Sequence, residues 1–382
     1  INTYRQYMKQ LKLFFLSLFA IVSLVACDST KSSDQILTEC GSGVVMVANQ
    51  FYYKITLPTG KVWYFTGFDA DGDLENWTMD LAEILKNKKM ITGTGFLISK
   101  DGKILTNRHV AAPSITLSDT KKSVRSLLNS MAEMVRMEME SMSERYDELE
   151  NEKRACYSYN EYDGNFYVDN EKLQEIEQEQ AELKEAYDGD SEIKNSIKTL
   201  DLSELKVDPV CEIGIAYNNT FVTKISDFIP CVVTSVSNKE NVDLAMLQLK
   251  NKQSPEGKFI FAVSEEDEEQ GLIDKVKDIF ASSDKDELQT EQKLYMIGFN
   301  AGFSLSNTSQ GIKAQITSGT ISQKPDNNKI MYTIPALPGS SGSPVVNEYG
   351  KLAAVNFAGV TGTQSFNYGI LIKRVKQFVN ND

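Results

Sequence analysis

The sequence predicts a mainly β fold of many short strands, a sandwich or a barrel, interrupted by an inserted α-helical hairpin. Three observations predict it. Short runs of β-branched and aromatic residues are divided by Gly, Pro, Asn and Asp through most of the chain. Between positions 121 and 200 that texture stops, and apolar residues recur at spacings of three and four among Glu, Lys and Arg. After Leu200 the short strands return. No internal repeat of about twenty to fifty residues runs through the chain.

Taken in order, residues 1–26 read as a signal peptide. Arg5, Lys9 and Lys12 precede an apolar run from Leu13 to Ala26. That run is about fourteen residues, short of the roughly twenty that span a bilayer. It ends in Leu24-Val25-Ala26-Cys27, which resembles the lipobox of bacterial lipoproteins. The resemblance implies cleavage before Cys27 and lipidation of its thiol. The expected location is therefore the bacterial cell envelope, lipid-anchored on the periplasmic or another extracytoplasmic face. Positions 27–42 are the anchor and its tether, with the polar stretch 28–39 read as flexible.

Losing residues 1–26 removes three positive charges and no negative ones, taking the formal charge from −13 to −16. So acidic a chain is a poor match for nucleic acid, whose phosphates require a basic face. Positions 27–382 suffice for one large domain with insertions or two smaller ones. Export permits disulfides among Cys40, Cys156, Cys211 and Cys231, and four cysteines allow three pairings. No Cys-x-x-Cys spacing occurs, so no metal site and no cofactor is expected.

From Gly43 the strands begin, at Val44-Val45-Met46-Val47, Phe51–Ile55 and Lys61–Phe65. Asp69-Ala70-Asp71-Gly72-Asp73 invites a calcium-loop reading. It fails, because setting Gly72 at the sixth loop position puts Gly67 where the first carboxylate belongs. The segment is read as an acidic turn. A short helix follows at Leu81–Lys89, then a strand at Thr92–Ser99. In the insertion, Val124, Leu128, Met131, Val135, Met139, Met142, Tyr146 and Leu149 mark one amphipathic helix. A second runs from about Glu171 to the Asp188-Gly189-Asp190 signal, and a turn joins the two into an antiparallel hairpin. Strands resume around 211–217, 231–236, 294–298, 314–319, 345–346 and 352–355, with an acidic, helical loop expected at 264–290.

Three short motifs carry chemistry. His109 is the chain's single histidine, set in Thr106-Asn107-Arg108-His109-Val110 after a strand–Asp101-Gly102–strand hairpin. Pro338-Gly339-Ser340-Ser341-Gly342-Ser343-Pro344 is a tight turn around a serine. A serine hydroxyl needs a neighbouring base to take its proton, and backbone N–H donors aimed at the developing oxyanion. Asp243 enters the apolar run Asp243-Leu244-Ala245-Met246-Leu247, where a carboxylate is costly unless partnered. The order along the chain is His, Asp, Ser.

Together these motifs resemble the HtrA-like branch of trypsin-like serine peptidases. The matching text is Gly93-Thr94-Gly95-Phe96, Thr106–Val110, Asp243-Leu244-Ala245 and Gly339-Ser340-Ser341-Gly342-Ser343-Pro344, supported by Met296–Phe299 and Ile316–Ser322. The likeness covers about 43–118 and 205–378. It implies two six-stranded β-barrels, with a peptidase domain over 43–120 and 201–382 and the helical hairpin inserted at 121–200. It also implies that Ser341 is the nucleophile, His109 the base and then acid, and Asp243 its orienter, with the Gly339 and Ser341 amides as oxyanion hole. Protein or peptide substrates from the envelope follow, with Pro335 and Asn356–Gly359 lining a pocket for an apolar residue.

The sequence departs from the family in three places. Ser343 replaces a second glycine. Ser340 stands where secreted digestive relatives carry an aspartate that pairs with a freed chain end. No stretch is left for the PDZ domain such enzymes usually carry. The insertion widens the His-to-Asp separation to 134 residues, from 109 to 243, and offers a surface for a protein partner. A second reading is a lipid-anchored scaffold or pseudoprotease that binds a partner through that hairpin.

Overall fold

The computed structural model describes residues 30–263, 288–326, 328–359 and 366–381. The expected signal peptide 1–26, Cys27 with the start of the expected tether, and most of the acidic 264–290 stretch lie outside the described residues. The principal elements begin with α1 (Ser33–Cys40), β1 (Val44–Thr56), β2 (Val62–Phe65) and α2 (Leu81–Lys86). Next come β3 (Lys89–Leu97), β4 (Lys103–Thr106), α3 (Arg108–Ala111), α4 (Leu117–Ala155), β5 (Tyr157–Asn160), β6 (Asn165–Val168) and α5 (Asn170–Thr199). Then follow β7 (Lys206–Tyr217), β8 (Ile229–Val236), β9 (Ala245–Leu249), β10 (Lys293–Gly298) and β11 (Gln315–Gln323). The chain closes with β12 (Lys329–Tyr332), β13 (Pro344–Asn347), β14 (Leu352–Gly359), β15 (Asn367–Leu371) and α6 (Ile372–Asn380).

The strands close into two six-membered rings. The first runs β1-β3-β4-β9-β8-β7 and returns to β1, with β2 added on the far half of β1. The second is the closed barrel β10-β11-β12-β15-β14-β13. Closure removes the unpaired edges that sheets otherwise expose. The fold is thus mainly β, two six-stranded barrels with a helical insertion, as the resemblance implies.

Why β1 reads as an unbroken apolar run is visible in its packing. Successive side chains on a strand point to opposite faces. Val45 and Val47 pack inside the first barrel with Leu97, Ile104, Ile215 and Leu247. Val44, Met46 and Ala48 face the other way, into a cluster containing Phe96, Phe261, Ile297 and Phe299. Both faces are covered, so no polar alternation survives. The two strands expected at 44–47 and 51–55 are accordingly one strand of thirteen residues.

Two compact units divide the chain. One comprises the described residues up to Phe51, Lys89–Ser114 and the described residues from Cys211 onward, and holds the motif residues His109, Asp243 and Ser341. The other comprises Tyr52–Lys88 and Ile115–Val210, and holds the hairpin. In that unit α4 is longer than the heptad-like stripe alone indicates, at 39 residues. It starts where the Thr116 hydroxyl caps the Asp119 amide, 3.1 Å away. Helix α5 does not stop at Asp188-Gly189-Asp190 but continues to Thr199. An internal glycine costs a helix about 1 kcal/mol, and the final turns nonetheless have partners on α4 and at the helix end. Lys194 and Lys198 act on Glu133 of α4, and Arg125 Nη2 donates to Leu200 O at 2.6 Å. The stretch expected to be a polar turn between the helices is a β-hairpin, β5–β6, in register from Tyr157↔Val168 to Asn160↔Asn165.

The tether differs from expectation in the same way. Residues 28–39 lack apolar periodicity, yet Ser33–Cys40 is helical with Ile36 and Cys40 fully buried. A capping box starts it: the Ser32 hydroxyl accepts from the Gln35 amide, and the Gln35 side chain accepts from the Ser32 amide at 2.8 Å. The acidic turn at 69–73 forms as expected, with Asp69 Oδ1 accepting from the Asp71 and Asp73 amides at 3.0 and 2.9 Å.

Cys40, Cys156, Cys211 and Cys231 are free thiols. Burial pushes the Cys40 and Cys231 thiols from 9.0 up to about 12. A thiol kept neutral inside contributes stability that is intact below about pH 9. It erodes between about 9 and 12, because the unfolded thiols ionise first. In native alkylation at pH 8, exposed Cys211 is expected to react first, with Cys40 and Cys231 protected until denaturant is added. Mass spectrometry of the alkylated peptides reads the order.

Candidate active site

Strand β4 delivers the chain to Asn107, and the one-turn helix α3 then presents His109. The imidazole stays half-exposed while the Asp243 side chain is 15% exposed. His109 Nδ1 lies 2.5 Å from Asp243 Oδ2, and the His109 backbone N–H donates to Asp243 Oδ1 at 3.0 Å. One carboxylate therefore holds both the ring and the backbone of the same residue. With an acceptor on Nδ1, the neutral ring keeps its proton there and leaves Nε2 as the basic atom.

Asp243 is itself held from several sides. Its carbonyl accepts from Asn107 Nδ2 at 2.8 Å and from the Arg108 amide at 3.3 Å. The Arg108 guanidinium lies 4.0 Å from Asp243 Oδ1 and donates to the carbonyls of Ser237, Lys239 and Glu240. That fork fastens the loop leading to Asp243 onto the helix carrying His109. At the other end of α3, fully buried Asn49 donates through Nδ2 to Val110 O and Ala111 O at 2.9 and 3.0 Å. These are carbonyls that a four-residue helix leaves without an internal partner.

The serine turn enters from the second barrel. Gly339 has φ +99° and Gly342 has φ +86°, backbone that strongly favours glycine. A Cβ on Gly342 would lie 2.1 Å from Thr94 O and 3.1 Å from Asn107 N, so Ser341–Gly342 abuts the segment that leads into His109. Thr94, fully buried on β3, ties the pieces together. Its amide donates to Ser341 O at 2.8 Å and its hydroxyl to Gly339 O at 2.8 Å. The same hydroxyl accepts from the Phe299 amide at 3.0 Å, and Thr94 O accepts from Thr106 Oγ1 at 2.7 Å.

Among the described residues the Gly339 and Ser341 amides have no hydrogen-bond acceptor, so both remain available to an incoming oxyanion. Ser341 Oγ and His109 are not hydrogen-bonded to each other, and such contacts tighten when substrate binds. Ser343, in place of a second glycine, fits because Gly298 has no side chain: a Cβ there would fall 2.0 Å from Ser343 Oγ. The Ser343 hydroxyl is buried there without a partner among the described residues.

Residues 207–355 match the family model described as a trypsin-like peptidase domain. That segment is similar to trypsin-like peptidases. It covers less than half of the chain, contains Asp243 and Ser341, and begins after His109. No curated protein matches. The crystal structure of the Rv3671c protease from M. tuberculosis, in its active form, matches with 11% identity and a TM-score of 0.41. It covers 92% of this chain, and 87% of that protease is covered.

Sequence reasoning quotes Thr94, Asn107 and Arg108 inside the motifs but gives them no work, and Asn49 not at all. The only signal for Asn49 is a polar residue in an apolar strand. Thr94→Val keeps the shape but strips two buried backbone groups of their partner. At about 1–3 kcal/mol for each group left unsatisfied, it should lower unfolding free energy by roughly 2–5 kcal/mol. Thr94→Ser, which retains the hydroxyl, should recover most of that loss in the same urea titration.

Proposed function

We propose that the chain is a serine endopeptidase of the HtrA-like type that cleaves peptide bonds through a covalent acyl-enzyme. The observation that carries this reading is the His109–Asp243 pair, made by the only imidazole in the chain. In the proposed mechanism His109 Nε2 takes the proton from Ser341 Oγ as that oxygen attacks the scissile carbonyl. The carbonyl oxygen gains negative charge and is stabilised by the Gly339 and Ser341 N–H groups. Collapse breaks the C–N bond, and the amine leaves with the proton held by His109. Water then attacks the ester, His109 taking its proton and returning one to Ser341 Oγ as the acid product departs. Asp243 stabilises the imidazolium throughout, and no cofactor enters any step.

The rest of the reading follows from the sequence. Lipidated Cys27 attaches the enzyme to a membrane of the bacterial envelope, and proteins of that compartment are its substrates. The hairpin insertion serves as a docking or regulatory element. Its β5–β6 tip supports this with exposed Tyr159, Tyr162, Phe166 and Tyr167, aromatic anchors of the kind that dominate interfaces.

A fluorophosphonate probe tests the chemistry. The full chain should be phosphonylated once, at Ser341, and Ser341→Ala should remove the label. Asp243→Asn should slow peptide hydrolysis by about 10⁴-fold. Folded protein that never labels, or labels elsewhere, contradicts the reading. Membrane fractionation tests the anchor: Cys27→Ser should move the protein to the soluble fraction.

A further inference from the structure

Ser340 precedes the proposed nucleophile, and no charged group holds it. Its hydroxyl donates to Leu337 O at 2.7 Å and accepts from Asn356 Nδ2 at 3.2 Å. Asn356 Nδ2 also donates to Ser340 O at 3.0 Å, and Asn356 Oδ1 accepts from the Tyr332 hydroxyl at 2.8 Å. The Asn356 main chain grips the same turn, accepting from the Gly342 amide at 2.8 Å and donating to Ser343 O at 2.9 Å. All three side chains are buried, Tyr332 completely. Burial raises the Tyr332 phenol far above its ordinary range, so it stays protonated and donates.

The geometry gives this chain a specific task. A peptide unit is planar and trans, so a carbonyl and the following N–H point in opposite directions from one rigid plate. Holding Ser340 O therefore fixes the direction of the Ser341 N–H, one of the two proposed oxyanion donors. Space has been kept for the relay. A Cβ on Gly369 would fall 3.0 Å from Tyr332 Cε1 and 3.2 Å from its hydroxyl oxygen, so β15 carries glycine where the Tyr332 ring passes to reach Asn356.

We propose that Tyr332 and Asn356 are positioning residues that orient the Ser341 amide through Ser340, a neutral relay inside the second barrel that sets the oxyanion hole with no charged chain end. The inference rests on the reading of Ser341 as nucleophile. It makes the turn competent in the uncleaved chain and puts Asn356 to structural use rather than on a pocket wall.

The test compares the full chain with Tyr332→Phe, which removes one hydroxyl and keeps the ring, and with Asn356→Leu. Two readouts are taken: the rate of fluorophosphonate labelling, with kcat and KM for a peptide substrate, and amide hydrogen exchange over residues 337–343. Removing an oxyanion donor outright costs about 10²–10³-fold; misaligning one should slow labelling about tenfold in Tyr332→Phe and more in Asn356→Leu. The loss should lie in kcat with KM nearly unchanged, and exchange across the turn should quicken. Labelling at the wild-type rate in both variants overturns the inference. If the wild type itself does not label, the peptidase reading fails, and unchanged exchange in both variants then overturns the relay separately.

Discussion

Thr94 spends each of its polar groups on the segments that carry Ser341 and His109, and the rest of the site depends on that arrangement. Its amide and hydroxyl hold the carbonyls on either side of Ser340, and its own carbonyl is held by Thr106, three residues before His109. Gly339 O and the Ser340 N–H share one planar peptide. The Thr94 hydroxyl therefore sets the plate between the two proposed oxyanion donors, while Asn356 sets the next one. A strand of the first barrel thus fixes the turn of the second. Such a contact requires close backbone approach, which explains the glycines at 93, 298, 339 and 342: a Cβ at any of them would lie within 2.9 Å of a neighbouring atom.

His109 is fixed by a separate set of bonds built on the same logic. Asp243 grips His109 at ring and backbone, Arg108 and Asn107 grip the Asp243 loop, and Asn49 secures the far end of the helix. Most of these contacts reach main-chain atoms. Main-chain partners tie side-chain placement to barrel geometry, which is how a half-exposed imidazole can hold one orientation.

Much of this was legible in the sequence, and the remainder fails for physical reasons. Strand texture and helical periodicity mark the short-strand regions and the hairpin, because burial on a repeating face leaves a repeating pattern, while the division into two barrels is what the family resemblance implies. His109 is nameable as the chain's single imidazole and Asp243 through the family resemblance, and the structure pairs them. Helix ends are read less well: Gly189 signals a stop, yet α5 continues to Thr199. The capped helix at 33–40 carries no periodic stripe, and its evidence lies in one Ser-x-x-Gln box. The bonding roles of Thr94, Asn49, Tyr332 and Asn356 are not legible, because a buried polar side chain has no sequence signature until its partner, tens to hundreds of residues away, is known.

The proposed mechanism requires two preset amides, Gly339 and Ser341, facing a common point beside Ser341 Oγ. The most direct measurement is a crystal structure of the chain after phosphonylation at Ser341. The account predicts the phosphonyl oxygen within about 2.7–3.1 Å of both amide nitrogens, with the Thr94–Gly339 and Asn356–Ser340 bonds unchanged from the free protein. A phosphonyl oxygen turned to solvent, or a turn that must rebuild to receive it, would contradict the account.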